Sequence, residues 1–521
     1  MKQVLFSYLL FAASFISSSA AEFQINTRTT YDQKNAAIAA CNSGNFIVTW
    51  DSYRHPDDGD SGGIVARIFD SKCCPITAEF IVNETTAGNQ KCPDVAADAD
   101  GNFIIVWQGP GPDEEDIFAK IYDANGNPVK NEFRVNNYTT NRQLVPAVAM
   151  NNDGNFIIVW ESMNVPQEDM RAICAQSYDS SGQTLGSQIR VNDQNDVCRY
   201  PDVALSNLGQ AVVVWVKQSA TYSIWSRHFP ADGSQPVWLS KQISESPNFT
   251  SLTRPSICID STGNYIIAWD GHSQNHNEDD IHIKAYNRTH APWHSQYIVA
   301  AGQNAQKNPS VAISNDGWLV VLWEGDCHDE TIKRNIFGRR FTIDFDWPTE
   351  PNRLGDEFTL NIYIIDEQRY PTVAITASSR FVGCWQSHEQ DGSGHGIFGG
   401  IGPKPAFADF TGDGFVDFRD FCVLAGEWLK DQNPLKADLI DDNSIDKHDL
   451  SAFCQQWLTP RYKCCEVDID DNGKINFKDY ALLAANWLNQ GPNLPGDITA
   501  NGTVDITDLH ALLFHWTNNC K

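Results

Sequence analysis

Four acidic loops near the C-terminus have the residue types and spacing needed for metal binding. They follow the pattern Asp-x-x-x-(Asp/Asn)-(Gly/Asn)-x-x-(Asp/Asn)-x-x-Asp, at intervals of 29, 30 and 29 residues, and begin at Asp409, Asp438, Asp468 and Asp497. Calcium takes six to eight oxygen ligands, which alternate residues of a tight loop can direct inward. The sixth position must turn sharply, which suits Gly414, Gly473, Gly502 and the tolerant Asn443. The sequence therefore predicts calcium binding here.

Each acidic loop is followed by a helical run with a Trp eight residues beyond its last Asp, at Trp428, Trp457, Trp487 and Trp516. This loop–helix unit resembles the dockerin module of cellulosomal and related exported proteins, a duplicated calcium unit that lacks the entering helix of an EF-hand. The four units look like two tandem dockerins, over residues 405–461 and 462–521. The resemblance implies Ca²⁺ as the cofactor and a small α-helical calcium-binding region.

The resemblance also assigns the ligands of each loop. The first loop has Asp409, Thr411, Asp413, Asp417 and Asp420, with the Phe415 carbonyl. The third has Asp468, Asp470, Asn472, Asn476 and Asp479, with the Lys474 carbonyl. The fourth has Asp497, Thr499, Asn501, Asp505 and Asp508, with the Thr503 carbonyl. The second has Asp438, Asp442, Ser444, Asp446 and Asp449, but Ile440 replaces an oxygen ligand, which lowers its expected affinity.

Dockerins bind cohesin domains through residues near loop positions ten and eleven. Those positions hold Phe418-Arg419, Lys447-His448, Phe477-Lys478 and Ile506-Thr507, and not the Ser-Thr pair of the cellulosomal type. The resemblance therefore implies a cohesin-like partner or a cell-surface protein, with intramolecular docking as an alternative. The four helix Trp residues belong either to the core of this region or to its docking surface.

The first four hundred residues consist of a repeat that would carry a second function. A short apolar run ending in Trp recurs at spacings of 57, 53, 55, 54, 54 and 62 residues, at Trp50, Trp107, Trp160, Trp215, Trp269, Trp323 and Trp385. Six of the seven have Gly six residues before the Trp. Upstream lies a Pro-x-Val-Ala-like strand, which begins at Pro93, Pro146, Pro201, Pro255, Pro309 and Pro371, with Ala36 in the first copy.

Each repeat contains four short β-type runs. In the third copy they are residues 145–150, 155–161, 171–178 and 188–191, with hairpin turns at Asp153-Gly154 and Ser181-Gly182. Four antiparallel strands per repeat are typical of a propeller blade, and blades must stack around an axis because one blade cannot bury both its faces. The sequence predicts a mainly β fold, a seven-bladed β-propeller over residues 22–404, followed by the small α-helical region.

The ends of the repeat region indicate how the ring closes. The last copy reaches its third strand at residues 396–401 and then meets Pro403. Residues 22–26 match the fourth-strand pattern found at residues 132–136. The N-terminal segment is therefore expected to complete the last blade.

The repeated Trp residues and the loops that follow them are the candidate sites of the propeller. One Trp at the same place in every blade favours packing between neighbouring blades over ligand stacking. The loops after the Trp strand are acidic, at residues 57–60, 113–116, 168–169, 278–280 and 329–330. Their carboxylates suit calcium, hydrogen bonds to sugar hydroxyls, or simple solvation.

Neither a glycosidase site nor a histidine metal site can be assigned to particular residues of these loops from the sequence. A glycosidase needs two carboxylates, one of them with a raised pKa, and many acidic residues fit that demand equally. Six histidines lie in the same loops without metal-ligand spacing, at His55, His272, His276, His328, His388 and His395. No catalytic residue is assigned.

Composition limits the class of protein and its compartment. The 521 residues include 38 Lys and Arg against 66 Asp and Glu, a net charge of −28 that opposes binding to nucleic-acid phosphates. A charged start, an apolar run over residues 4–16 and a small-residue run up to Ala21 predict a signal peptide over residues 1–21 and a secreted protein without a membrane span. The 14 cysteines are compatible with disulfides or free buried thiols, with Cys422 and Cys454 the first pair to test.

Three functions remain open at this stage. The leading hypothesis is a secreted, dockerin-bearing propeller that acts as a recognition or adaptor module linked to polysaccharide breakdown. One alternative is a carbohydrate-active enzyme, a glycoside hydrolase or polysaccharide lyase with catalytic carboxylates in the propeller loops. The other is a structural cell-surface protein. Seven similar repeats without a singular constellation favour the non-catalytic hypothesis.

Overall fold

The computed structural model describes residues 22–55, 58, 61–163, 171–193, 196–234, 239–245, 254–272, 279–292, 295–300, 304–315, 317–326, 332–343, 351–353, 357–376, 380–402, 418–427, 450 and 504. Its contacts divide the chain into two compact units, one of Ser19–Gly402 and the other of Met1–Ser18 with Pro403–Lys521. The predicted signal peptide and most of the predicted calcium region lie outside the described residues.

Short strands build the unit Ser19–Gly402. They are β1 (Glu22–Gln24), β2 (Gln33–Ala40), β3 (Phe46–Tyr53), β4 (Gly62–Phe69), β5 (Phe80–Ile81), β6 (Lys91–Ala97), β7 (Phe103–Pro110), β8 (Glu115–Tyr122), β9 (Pro128–Arg134), β10 (Gln143–Met150), β11 (Phe156–Met163), β12 (Arg171–Tyr178), β13 (Thr184–Arg190), β14 (Val197–Leu205), β15 (Gln210–Gln218), β16 (Tyr222–Pro230), β17 (Lys241–Gln242), β18 (Ser256–Ile259), β19 (Tyr265–His272), β20 (Asp279–Tyr286), β21 (Tyr297–Ala300), β22 (Gln306–Ile313), β23 (Trp318–Asp326), β24 (Ile332–Thr342), β25 (Asn352–Arg353), β26 (Phe358–Thr359), β27 (Asp366–Ile375), β28 (Phe381–His388) and β29 (His395–Gly402).

The strands form six sheets. Five contain four antiparallel strands each, in chain order from β2–β5 to β18–β21. The sixth has nine strands, in which β22–β26 and β27–β29 with β1 are joined by a parallel contact between β24 and β27. That contact covers only two residue pairs, beside an ion pair of 2.6 Å between Lys333 Nζ and Asp366 Oδ1. The mainly β propeller is confirmed, but the expected seven separate blades are not, because the last two repeats share one sheet.

Seven hydrophobic clusters lie between successive repeats, and the seventh joins the last repeat to the first. The repeated Trp of each second strand packs against the preceding repeat: Trp107 lies in a cluster with Ile47 and Ile64, and Trp50 in one with Val382 and Cys384. All seven of these Trp side chains are at most 1% exposed. Packing between neighbours, the favoured interpretation of the repeated Trp, is confirmed.

The N-terminal segment closes this ring of clusters. β1 pairs antiparallel with β29, with Glu22 opposite Gly400 and Gln24 opposite Phe398. Ile25 is fully buried in the cluster between the last and first repeats. The strand pairing expected for residues 22–26 is therefore present.

Local sequence explains the hairpins within each repeat. The second strands are rich in Val, Ile and Trp, which suit a pleated, buried surface. The turn before each of them needs a residue in the left-handed region, and the six glycines six residues before the Trp all have φ between 75° and 95°. In the third repeat, the predicted runs 145–150, 155–161, 171–178 and 188–191 correspond to β10 to β13.

The unit that includes Pro403–Lys521 contributes one described helix, α1 (Phe418–Glu427). Asp420, the last ligand assigned to the first calcium loop, lies in its first turn. Within the described part of the chain, no helix is long and apolar enough to cross a membrane. Eight cysteines of the propeller unit are free thiols: Cys41, Cys73, Cys74, Cys92, Cys174, Cys198, Cys258 and Cys384. The proposed Cys422–Cys454 pair lies outside the described side chains.

Candidate functional site

The innermost strand of most repeats carries a β-bulge just before the Pro position. The register of β2, β6, β10, β14, β22 and β27 shifts there. The bulged residues have φ between 49° and 53°, and they are Asn35, Cys92, Val145, Tyr200, Asn308 and Tyr370. Left-handed backbone is uncommon for residues other than Gly and costs about 1–3 kcal/mol. The surrounding structure must therefore compensate at each bulge.

The compensation is a hydrogen bond from the preceding repeat. The residue after the Trp accepts the bulge N–H: Glu161 accepts from Tyr200 at 2.7 Å, and Gln108 from Val145 at 2.8 Å. Glu324 and Asp51 accept from Tyr370 and Cys92 at 2.8 and 3.3 Å. Gln386 of the last repeat accepts from Asn35 of the first at 3.4 Å, so this series of bonds also closes around the ring.

A second series of bonds lies two residues further along the innermost strands. Asp94 accepts the N–H of Val148 at 2.8 Å, and Asp202 accepts that of Ile257 at 2.9 Å. The hydroxyls of Ser256 and Ser310 accept from Val311 and Val373 at 3.3 and 3.1 Å. Asp and Ser thus perform the same task at equivalent positions, which is to join each innermost strand to the next.

The innermost strands enclose a cavity of about 180 Å³ on the propeller axis. Its lining comes from all seven repeats and includes Ala37, Asp94, Ala147, Asp202, Ser256, Ser310 and Thr372. The residues that precede the Pro position, which we name the axial mouth, are Asn35, Cys92, Val145, Tyr200, Arg254, Asn308 and Tyr370. Six of them line the cavity, and Arg254 lies 5.8 Å above the ring of the seventh, Tyr200.

The axial mouth combines aromatic, amide and cationic side chains. Tyr370 is 42% exposed and Arg254 is exposed, so both are accessible from solvent. Arg254 also interacts electrostatically with Asp94, Asp202 and Cys92. A tyrosine ring offers an apolar face, and amides and guanidinium groups donate hydrogen bonds, so the mouth can bind a partly apolar ligand that carries hydroxyl or acidic groups.

Three carboxylates near the axis have strongly perturbed acidities. Burial raises the pKa of Asp51 and of Asp94 to about 6. Burial, reinforced by the charge of Asp94, raises the pKa of Asp202 to about 7. Perturbed carboxylates in a cavity are candidates for proton transfer, although structural hydrogen-bond networks perturb pKa values as well.

The described members of the acidic loops bind mainly within the fold. Asp58 and Asp116 are buried and accept from the amides of Asn83 and Asn136 at 2.5 and 2.7 Å. Glu115 pairs with Lys91 and Arg142 at 2.8 and 2.5 Å. No group of three or more His, Cys, Asp or Glu side chains among the described residues is arranged to hold a metal ion. Residues 57, 59–60, 168–169, 278 and 329–330 lie outside the description.

The structure brings together two of the six loop histidines. His388 and His395 end β28 and begin β29, where they face each other in register. His55 is buried, His272 ends β19, and His276 and His328 lie outside the described residues. The calcium ligands assigned to the four C-terminal loops also lie outside the described side chains.

The sequence contains a signal for the axial mouth that the repeated Trp, Gly and Pro positions do not reveal. The position before the Pro holds five different residue types in the seven repeats, whereas the Pro, Val and Ala that follow recur. A variable position next to a repeated one indicates a side chain that the fold does not require. The perturbed carboxylates gave no such signal, because their depth beside the axis depends on ring closure.

Comparisons with known proteins add the following. No family model matches the chain, and no curated protein sequence matches it. A protein of unknown function from Dyadobacter fermentans is 9% identical, with 74% of this chain and 98% of that one covered and a TM-score of 0.43. An α-L-arabinanase from Penicillium chrysogenum in complex with arabinobiose is 11% identical, with 74% and 98% covered and a TM-score of 0.39. An α-L-arabinofuranosidase from Fusarium graminearum is 11% identical, with 59% and 92% covered and a TM-score of 0.40. These low values leave the function to be argued from the chain itself.

Proposed function

We propose that this chain is a secreted recognition protein whose propeller binds a polysaccharide at the axial mouth. The observation that carries the proposal is the axial mouth itself: equivalent positions in seven repeats carry five types of side chain, and six of these residues line one cavity. Neighbouring repeats hold the backbone of the mouth, and the exposed side chains of Tyr370 and Arg254 can reach a ligand. The amide of Asn35 also donates to Asp51 at 2.7 Å.

The ring is proposed to contain seven blades, of which the nine-stranded sheet supplies two. Seven inter-repeat clusters and seven contributions to the cavity support this count. The parallel contact between β24 and β27 is then a local bridge between the sixth and seventh blades.

The cavity size fits one terminal sugar unit. A volume of about 180 Å³ is below the 300–1,000 Å³ typical of sites that enclose a whole ligand. The rings of Tyr200 and Tyr370 would stack on the apolar face of a sugar. Asn35, Asn308 and Arg254 would donate to its oxygens.

The C-terminal loops would tether this propeller. Four calcium loops in register support a dockerin-like module that binds a cohesin-like partner or a cell-surface protein. The calcium would order each loop through carboxylate and carbonyl oxygens, with Asp420 at the start of α1 completing the first site. Recognition by the propeller would then keep the partner close to its polysaccharide.

A glycosidase is the second candidate, favoured by the raised pKa values of Asp94 and Asp202. A general acid needs a pKa near the working pH, and a pair of carboxylates could divide the acid and base tasks. The equivalent Ser256 and Ser310 argue against this role and favour a purely structural role for Asp94 and Asp202. The two serines make the same bond between strands without a titratable group.

The deciding experiment presents a panel of polysaccharides to the full chain with calcium and measures both retention and soluble products. Retention of at least one polysaccharide without product supports recognition. Tyr370→Ala and Arg254→Ala should then each weaken it at least tenfold. Tyr138→Ala is the matched control, since Tyr138 is equally exposed at 42% and lies outside the mouth.

Product release would support the enzyme instead, and Asp94→Ser or Asp202→Ser should then abolish turnover in a protein that remains folded. Absence of both retention and product across a broad panel would contradict binding of polysaccharide at the mouth.

A further inference from the structure

Two histidines face each other across the hairpin of the last repeat. His388 and His395 are directly paired in the register of β28 and β29. Their ring centroids are 4.9 Å apart with an interplanar angle of 65°. Their side chains are 34% and 18% exposed, so solvent reaches both.

Each imidazole is held by a carboxylate from another segment of the chain. Asp366, at the start of β27, lies 2.6 Å from Nδ1 of His388. Asp32, which precedes β2, lies 3.0 Å from Nδ1 of His395 and also accepts the His395 N–H at 3.2 Å. A lysine stabilises each carboxylate in turn: Lys333 lies 2.6 Å from Asp366, and Lys34 lies 2.8 Å from Asp32.

This arrangement fixes which nitrogen remains for a ligand. A carboxylate can only accept, so a neutral imidazole beside it carries its proton on Nδ1 and leaves the Nε2 lone pair available. Metal-binding histidines typically donate their second ring N–H to a carboxylate, which orients the ring and raises its basicity. Both members of the pair satisfy that condition.

We propose that His388 and His395 bind a divalent transition metal, Zn²⁺ in particular, through their Nε2 atoms. Imidazole suits Zn²⁺, Cu²⁺ and Ni²⁺, whereas Ca²⁺ prefers oxygen, so this site is distinct in chemistry from the acidic C-terminal loops. Two protein nitrogens form the site and water completes the coordination. Glu389, whose carboxylate lies 4.0 Å from Nε2 of His388, could supply an additional oxygen donor.

A second histidine pair in the same propeller provides a control. His228 and His290 stack with ring centroids 3.3 Å apart and an interplanar angle of 13°. Nδ1 of His290 lies 3.4 Å from the hydroxyl of Tyr265. Burial lowers the pKa of both imidazoles, which is consistent with a packing role for this pair.

The test uses the full chain saturated with Ca²⁺. Cu²⁺ serves as the spectroscopic probe, since electron paramagnetic resonance detects couplings to nitrogen ligands, and Zn²⁺ affinity is measured by equilibrium dialysis. We expect His388→Gln and His395→Gln each to lose one set of nitrogen couplings and to weaken Zn²⁺ binding at least tenfold. His290→Gln should leave both signals unchanged.

Asp366→Asn and Asp32→Asn keep both imidazoles and remove only the carboxylates that orient them. Each is expected to weaken Zn²⁺ binding by about 10- to 100-fold. Thermal melting would reveal a histidine variant that fails to fold. In that case the two Asp→Asn variants still test whether the histidine pair binds Zn²⁺. Zn²⁺ affinity that stays unchanged in these carboxylate variants, or nitrogen couplings that persist in folded histidine variants, would mean adventitious binding elsewhere and would overturn the proposal.

Discussion

The amide oxygen of Asn26 accepts the backbone N–H of Ile397 at 2.7 Å, across 371 positions of the chain. The same bond joins Asn83 to Ile64 and Asn136 to Ile117, at 2.8 Å each, within single repeats and across only 19 positions. An interaction that is local in other repeats therefore holds the two ends of the propeller together.

Asn26→Ala should destabilise the propeller more than an ordinary surface change. It leaves the buried N–H of Ile397 without its acceptor and removes a bond to Asp391, which together cost about 1–3 kcal/mol in the free energy of unfolding. Urea unfolding at saturating calcium measures the effect. Gln24→Ala, at an exposed position of β1, is the control, and equal stability of the two variants would contradict a closing role for Asn26.

Glu161 allows a graded test of the bonds that support the bulges. Its carboxylate accepts from Tyr200 and pairs with Arg171 at 3.0 Å. Glu161→Gln keeps an acceptor like that of Gln108 and should cost about 1 kcal/mol. Glu161→Ala removes the acceptor of the Tyr200 N–H and of the half-buried Arg171 guanidinium, and should cost more, about 2–3 kcal/mol. Chemical denaturation of both variants gives the comparison. A milder effect of Ala than of Gln would be inconsistent with this role.

Gly209 and Gly154 occupy the same position in two repeats. Replacing each by Ala separates the energetic cost of a left-handed backbone from the cost of a steric clash. Gly209 has φ of 75° and open space where a Cβ would stand, so Gly209→Ala should cost about 1–2 kcal/mol for the left-handed backbone alone. At Gly154 a Cβ would also lie 2.9 Å from Cβ of Ser180, so Gly154→Ala should cost more. Differential scanning calorimetry can rank them, and the reverse order would refute the steric argument.

Asp202→Ser should flatten the dependence of stability on pH. The folded-state pKa of about 7 lies above the unfolded value near 4, so the folded state holds the proton more tightly and Asp202 costs stability as pH rises from about 4 to 7. Serine keeps an acceptor for Ile257, as Ser256 and Ser310 do in their repeats. We expect the variant to gain stability relative to the wild type between pH 5 and pH 8, in melts at fixed calcium. A constant difference across that range would exclude the titration of Asp202.

Calcium removal should unfold the C-terminal region selectively. Excess chelator is expected to abolish the helical circular dichroism signal of residues 405–521, because each loop needs the ion to neutralise its carboxylates. Calorimetric titration should give three tighter sites and one weaker, and Ile440→Asp should strengthen the weak one. A helical signal unchanged by chelator would contradict calcium-dependent folding.

The repeat made the propeller predictable from sequence, because Trp, Gly and Pro recur wherever packing, turns and the innermost strand demand them. The role of residues 22–26 was also predictable, since they share the fourth-strand pattern of other repeats. The contact between β24 and β27 was not, because its two residue pairs and the adjacent ion pair between Lys333 and Asp366 lie outside the repeated pattern. The pairing of His388 with His395 depends on hairpin register, and their carboxylates come from distant segments, so spacing along the chain concealed it.

The hydrogen bonds from neighbouring repeats that hold the axial mouth are made mainly by backbone N–H groups, as at Cys92, Val145, Tyr200 and Tyr370. Any side chain that tolerates a left-handed backbone can therefore occupy these positions while the bonds between repeats persist. Changes of ligand specificity and maintenance of the fold are thereby uncoupled. A protein built this way could diversify one position at a time, in evolution or by directed selection, with each intermediate still able to close its ring.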